Sequence, residues 1–155
     1  NYETKWLNMM RDKLGLYGED KEDKNLIMEL LNWMQKNKVD YTNTFIFLMN
    51  KTIKNSEVYD NADFDLWKIK WVKRLAMFAN THDKSMELMN SSNPMVIPRN
   101  HKVEEALKLA NNDDLTLFNK LTEILKNPYQ INKDDLEFMS PAPHSDVKYQ
   151  TFCGT

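Results

Sequence analysis

Apolar residues recur along this chain at helical spacing, in blocks separated by short polar stretches. Residues 2–14 put Trp6, Met9, Met10 and Leu14 on one stripe, and Gly15 supplies a stop just past it. Gly15-Leu16-Tyr17-Gly18 reads as a connector. Asp20 opens a second helix, where Glu22 and Asp23 face the positive end of the helix dipole. Leu26, Ile27, Leu30, Leu31, Trp33 and Met34 give it a wide buried face. Asp40 is a good N-cap for a third helix, with Tyr41, Phe45, Leu48, Met49 and Ile53 on its buried side. Residues 54–61 are polar and turn-forming, which predicts a variable loop. A long fourth helix over 63–78 carries the stripe Phe64, Trp67, Trp71, Leu75 and Phe78. Lys68, Lys70, Lys73 and Arg74 fall on its other faces and read as a solvated surface rather than a membrane or phosphate contact.

Thr81 caps a short fifth helix reaching Met89. Pro94 and Pro98 then bracket an apolar run, and Pro98 stands at the threshold of a helix, where a fixed φ and a missing N–H cost nothing. Val103, Ala106, Leu107 and Ala110 line that sixth helix. Asn112 and Asp113 suit a tight turn, and Asp114 caps a seventh helix with Leu117, Phe118, Leu121 and Leu125 inward. Asn127-Pro128-Tyr129 ends it, and Pro141-Ala142-Pro143 excludes helix further on. The expectation is an all-α fold: about seven helices forming a helical domain over 1–129, followed by an irregular C-terminal tail over 130–155.

Composition narrows this. At 155 residues, 41% of them hydrophobic, the chain suits one domain with a real core. Three glycines and five prolines argue against a sandwich, a barrel or a disordered linker. A net charge of −2 offers no basic excess for nucleic acid. No apolar run approaches the roughly 20 residues of a membrane helix. A single cysteine, Cys153, excludes an internal disulfide and fits a reducing, cytoplasmic compartment. The chain starts without Met, so it is expected to begin inside a longer protein, and the lack of a leader carries no weight.

Few residues offer chemistry. Gly15 and Gly18 follow a helix rather than a strand, so their spacing is no nucleotide fingerprint. His101 and Glu105 share a helix face, but two ligands do not make a metal site. Asp134, Asp135 and Glu137 read as a solvated acidic turn. Arg99 is one of three arginines among eighteen lysines. Its rigid fork suits either a phosphate or partner carboxylate, or an ion pair pinning the turn to a neighbouring helix, and the residues alone favour the second. Cys153, third from the end, is placed to reach a partner cysteine. No catalytic, cofactor-binding or metal-binding set is discernible.

Several strings nevertheless resemble one family, in that family's order. They are Lys13-Leu14-Gly15-Leu16, Asp40-Tyr41-Thr42-Asn43-Thr44-Phe45, Asn93-Pro94, Ile97-Pro98-Arg99-Asn100-His101 with Val103-Glu104-Glu105-Ala106, Asn127-Pro128-Tyr129, and the ending Thr151-Phe152-Cys153-Gly154-Thr155. They look like the C-terminal part of the selenoprotein O (YdiU) family of pseudokinases. The resemblance implies a parent enzyme that binds ATP with Mg2+ or Mn2+ in a kinase-like region upstream, and transfers AMP to Ser, Thr or Tyr hydroxyls of protein substrates. It implies that this stretch resembles the C-terminal helical part of a kinase-like fold, is structural or redox-regulatory, and lacks the ATP site. Its partners would be that N-terminal kinase-like region and the parent's protein substrates, with neither nucleic acid nor membrane involved. Cys153 stands where relatives carry selenocysteine or cysteine, which implies a redox role. The competing reading is a non-catalytic helical interaction module.

Overall fold

The computed structural model describes residues 1–78 and 82–143. Among them are seven α-helices and two 3-10 helices and no strand, so the fold is all-α. The α-helices are α1 (Tyr2–Lys13), α2 (Asp23–Lys36), α3 (Tyr41–Leu48), α4 (Ala62–Leu75), α5 (His82–Ser92), α6 (Asn100–Ala110) and α7 (Thr116–Lys126). The cap expected at Thr81 lies outside the described residues, as does Cys153.

Side-chain caps begin three of the helices. Asn1 accepts from the Glu3 amide, Asp40 from Asn43 and Asn61 from Phe64, each relieving an orphan N–H of a first turn. The Asn61 amide oxygen also accepts from the Trp33 indole at 3.0 Å, so the cap of α4 is fastened to α2.

The core is aromatic and crosses α2, α3 and α4. Phe64 lies 4.5 Å from Trp33, centroid to centroid, and Trp67 and Trp71 stack at 6.0 Å. Buried indole N–H groups need acceptors. Trp67 donates to the Leu26 carbonyl at 2.8 Å and Trp71 to the Leu14 carbonyl at 2.9 Å, tying α4 to α2 and to the end of α1. On the other side α1 packs on α5, and α6 pairs with α7 as a hairpin.

Several stretches depart from the pattern read along the chain: α4 ends at Leu75 rather than at 78, Phe118, expected inward on α7, is exposed, and two polar stretches fold. The segment expected as a variable loop folds into a 3-10 helix, Ser56–Tyr59, and Tyr59 is only 3% exposed. Its ring stacks on Phe47 at 4.0 Å, and its hydroxyl meets that of Thr44 at 3.1 Å. Burial pushes its pKa up to about 12. Past Asn127 a second 3-10 helix, Lys133–Met139, sends Phe138 and Met139 into the core. Met95 and Val96 both donate to the Pro128 carbonyl there, at 2.7 and 3.1 Å, closing the chain against the turn after α5.

Candidate functional site

The turn between α5 and α6 is built around Asn93 and Arg99. Asn93, buried, donates from its side chain to the carbonyls of Lys13 and Met89, each at 2.9 Å, and accepts from Lys13 Nζ at 3.2 Å. Lys13 Nζ also reaches the Ser92 carbonyl and lies against the rings of Tyr41 and Phe45. Burial lowers its pKa.

Arg99 turns its fork on Asp40. Nη1 donates to Oδ2 at 2.5 Å and Nη2 to Oδ1 at 2.9 Å, and Nη2 also reaches the Met139 carbonyl at 3.1 Å. Its buried Nε has no partner among the described atoms. Burial alone would raise the Asp40 pKa. The Arg99 contact and the Asn43 amide outweigh it and hold the carboxyl below its ordinary value. Arg99 therefore joins α3, the α6 turn and the second 3-10 helix.

A second ionic centre escaped the sequence reading. Asp23 is wholly buried between the two remaining arginines. Arg11 Nε donates to it at 2.7 Å, and Arg74 donates through Nε at 2.6 Å and Nη2 at 3.2 Å. The Asp20 amide adds a fourth hydrogen bond at 3.0 Å. Burial raises the Asp23 pKa, but the Arg74, Asp20 and Arg11 hydrogen bonds lower it further, and the net shift is downward. Arg74 also donates to the carbonyls of Tyr17 and Gly18. The expectation that Arg74 belongs to a solvated face is thus overturned: it crosses into the connector after α1. The available signal was its rarity. With eighteen lysines on hand, each arginine marks a place where a planar fork meets a carboxylate that is buried, as Asp23 is, or half-buried, as Asp40 is.

The acidic turn is likewise not wholly solvated. Asp135 is buried and pairs with Lys120 at 2.7 Å, while Glu137 pairs with Lys102 at 3.1 Å. His101 is half-buried, and its pKa is lowered by burial and by the positive charges of Lys102 and Arg99. Among the described residues no group of three or more His, Cys, Asp or Glu could hold a metal ion, and no helix is long and apolar enough to cross a membrane.

The connector glycines are filled by packing. A Cβ on Gly15 would stand 2.8 Å from the Ser85 carbonyl oxygen, and one on Gly18 would stand 2.6 Å from the Phe78 ring. Neither backbone is open to a phosphate. Among the described residues, all three arginines are bound to carboxylates and both connector glycines are covered by neighbouring atoms. What this arrangement does chemically is hold helices in register.

Comparison with known proteins bears on what that register serves. The family model described as protein adenylyltransferase SelO matches residues 1–126. A protein nucleotidyltransferase YdiU of Pelagibacter ubique is 85% identical over all 155 residues, which make up 32% of that protein's length. Nucleotidyltransferases of the same name from Bacillus cereus and Bacillus thuringiensis are each 41% identical over 99% of this chain and 32% of their own length. The chain thus spans about a third of the length of these relatives.

Proposed function

Because the chain belongs to the family of the protein adenylyltransferase SelO, we propose that it is a helical portion of a longer enzyme that transfers AMP from ATP to protein hydroxyl groups. Its own part is to brace the catalytic region. The observation that carries this reading is the match over 1–126 together with the 85% identity to a nucleotidyltransferase three times its length. ATP and a divalent metal ion, Mg2+ or Mn2+, then bind in a kinase-like region outside these residues. The paired arginines and covered glycines support that division of labour. Serine, threonine and tyrosine side chains of cytoplasmic proteins are the acceptors. Cys153 belongs to the same reading as a redox-sensitive thiol that pairs with a cysteine elsewhere in the longer protein.

Intact-mass measurement tests this. The longer polypeptide and the 155-residue chain are each incubated with ATP, Mg2+ or Mn2+ and an acceptor protein. An AMP-sized gain produced by the longer polypeptide alone is the expected result. A phosphate-sized gain overturns adenylyl transfer, and transfer by the 155-residue chain overturns the bracing role.

A further inference from the structure

Helix α4 is apolar on two sides. Its inward side buries Phe64, Trp67 and Trp71. Its outward side carries Leu66, Ile69 and Val72, which are 62%, 66% and 54% exposed. These three recur every third residue and so form a continuous stripe. Single exposed leucines are ordinary, but three apolar residues at this spacing on a helix whose opposite side is already buried make a second apolar face between its charged positions. The stripe runs into an open groove of about 660 Å³ between α3, α4 and the start of α5, walled by Phe47, Trp71 and Leu75. Together they make a contiguous apolar surface of the kind that marks an interface.

We propose that this stripe and groove are where the catalytic part of the same polypeptide docks, an inference that rests on the adenylyltransferase reading above. The relatives are about three times the length of this chain, so some two-thirds of such a protein lies outside it and must be joined to it across some surface. Two of the charged positions of α4 are tied to α2. Lys70 pairs with Glu29 on α2 at 2.8 Å, and Asp63 with Lys36 at 3.6 Å. That leaves the apolar stripe as the face of α4 without an intramolecular partner among the described residues. Lys51 stands along the groove beside Lys68, whose own ion pair with Asp65 is long at 3.9 Å, so the docking segment has apolar side chains on its inner face and acidic residues at its edge.

A second apolar exposure, Leu107, Leu115 and Phe118 on the α6–α7 hairpin, lines no groove: the one on α7, about 590 Å³, is walled instead by Lys120, Glu123, Asn127 and Asp135 beside Ile124. It is therefore the weaker candidate.

The test uses the Pelagibacter ubique relative with this chain in place of its matching third. A photoreactive p-benzoyl-phenylalanine is placed at position 69, with a control at exposed position 108. After irradiation the expected main product has monomer mass and links position 69 to a residue outside the 155, a link the control lacks. A product of dimer mass overturns the proposal in favour of a second copy. Links confined to the 155 residues, or none, overturn it by leaving the stripe bare. AMP transfer is measured on the same protein. Linkage without transfer refutes the adenylyltransferase reading and keeps the interface. Transfer without linkage does the reverse.

Discussion

Arg99 and Asp40, 59 positions apart, meet through two parallel hydrogen bonds of 2.5 and 2.9 Å, and the same carboxylate caps α3 by accepting from the Asn43 amide. One side chain thus sets where a helix starts and where a distant turn sits. Arg99→Ala leaves the half-buried carboxylate without its counter-ion and the Met139 carbonyl without its donor. The expected loss is about 2–4 kcal/mol, toward the lower end because both groups keep some contact with water. Arg99→Lys keeps the charge and loses the fork, and recovers roughly half of that. Urea unfolding of the variants checks both, and equal midpoints for the two would refute the importance of the fork.

Asp23 has more at stake, since it is enclosed and both of its charged partners are nearly so. Asp23→Asn keeps the shape but strands two guanidinium groups. Breaking a buried ion pair in this way costs about 3–5 kcal/mol. Arg74 retains the Tyr17 and Gly18 carbonyls, so Arg11→Met combined with Asp23→Asn should be less damaging than the sum of the single changes. A double-mutant cycle measures this directly, and strict additivity would show that Arg11 and Asp23 are not coupled.

Both carboxyls carry a pH signature. The pKa of each is lowered on folding, so the unfolded chain binds their protons more readily than the folded one. Their stabilisation is therefore fully present above the unfolded carboxylate pKa of ~4 and is lost as pH falls through the lower folded values. Midpoints in urea should be nearly level from pH 7 to about 5 with respect to these groups, and should decline below ~4. Asp40→Asn should flatten part of that decline. A variant curve parallel to the parent's down to acid would refute the assignment.

How far these features were legible follows from where their information lies. Helix existence is local: the spacing of Leu26, Ile27, Leu30 and Met34 in α2 and of Phe64, Trp67 and Trp71 in α4 directly states which side faces inward. Asp40 was legible as a cap for the same reason. Tyr59 was not. Its neighbours are polar, and what buries it is Phe47 and Thr44, brought near by the fold. Arg74 sits among lysines on the sequence, where only its rarity singles it out, and its partner Asp23 arrives from α2. The outward stripe of α4 was hidden differently. Leu66, Ile69 and Val72 alternate with Lys68, Lys70 and Lys73 on the side read as solvated, so a reading of the inward stripe and of the charges passes over them.

The two connector glycines offer a last contrast. Gly15 and Gly18 have nearly the same backbone, φ 69° and 67°, so replacing either by alanine incurs the same left-handed strain of about 1–2 kcal/mol. Their surroundings differ. At Gly15 the new methyl group meets the Ser85 carbonyl oxygen at 2.8 Å, part of the backbone of α5, and Met89 at 3.0 Å. A helix backbone yields only by shifting α5 away from α1. At Gly18 the nearest atoms belong to the Phe78 ring, at 2.6 to 2.8 Å. That ring is partly exposed and rests on the Arg74 guanidinium at 4.8 Å, so it can swing outward at the cost of that contact. Gly15→Ala should therefore lower stability by about 3–4 kcal/mol and Gly18→Ala by about 2. Phe78→Ala should then relieve most of the steric part of Gly18→Ala and none of that of Gly15→Ala. Thermal unfolding of the two single glycine variants, of Phe78→Ala and of the two double variants decides it: equal losses at the two glycines would mean that backbone strain alone sets their need for glycine, and a rescue by Phe78→Ala at Gly15 would mean that the Ser85 carbonyl is not its obstacle.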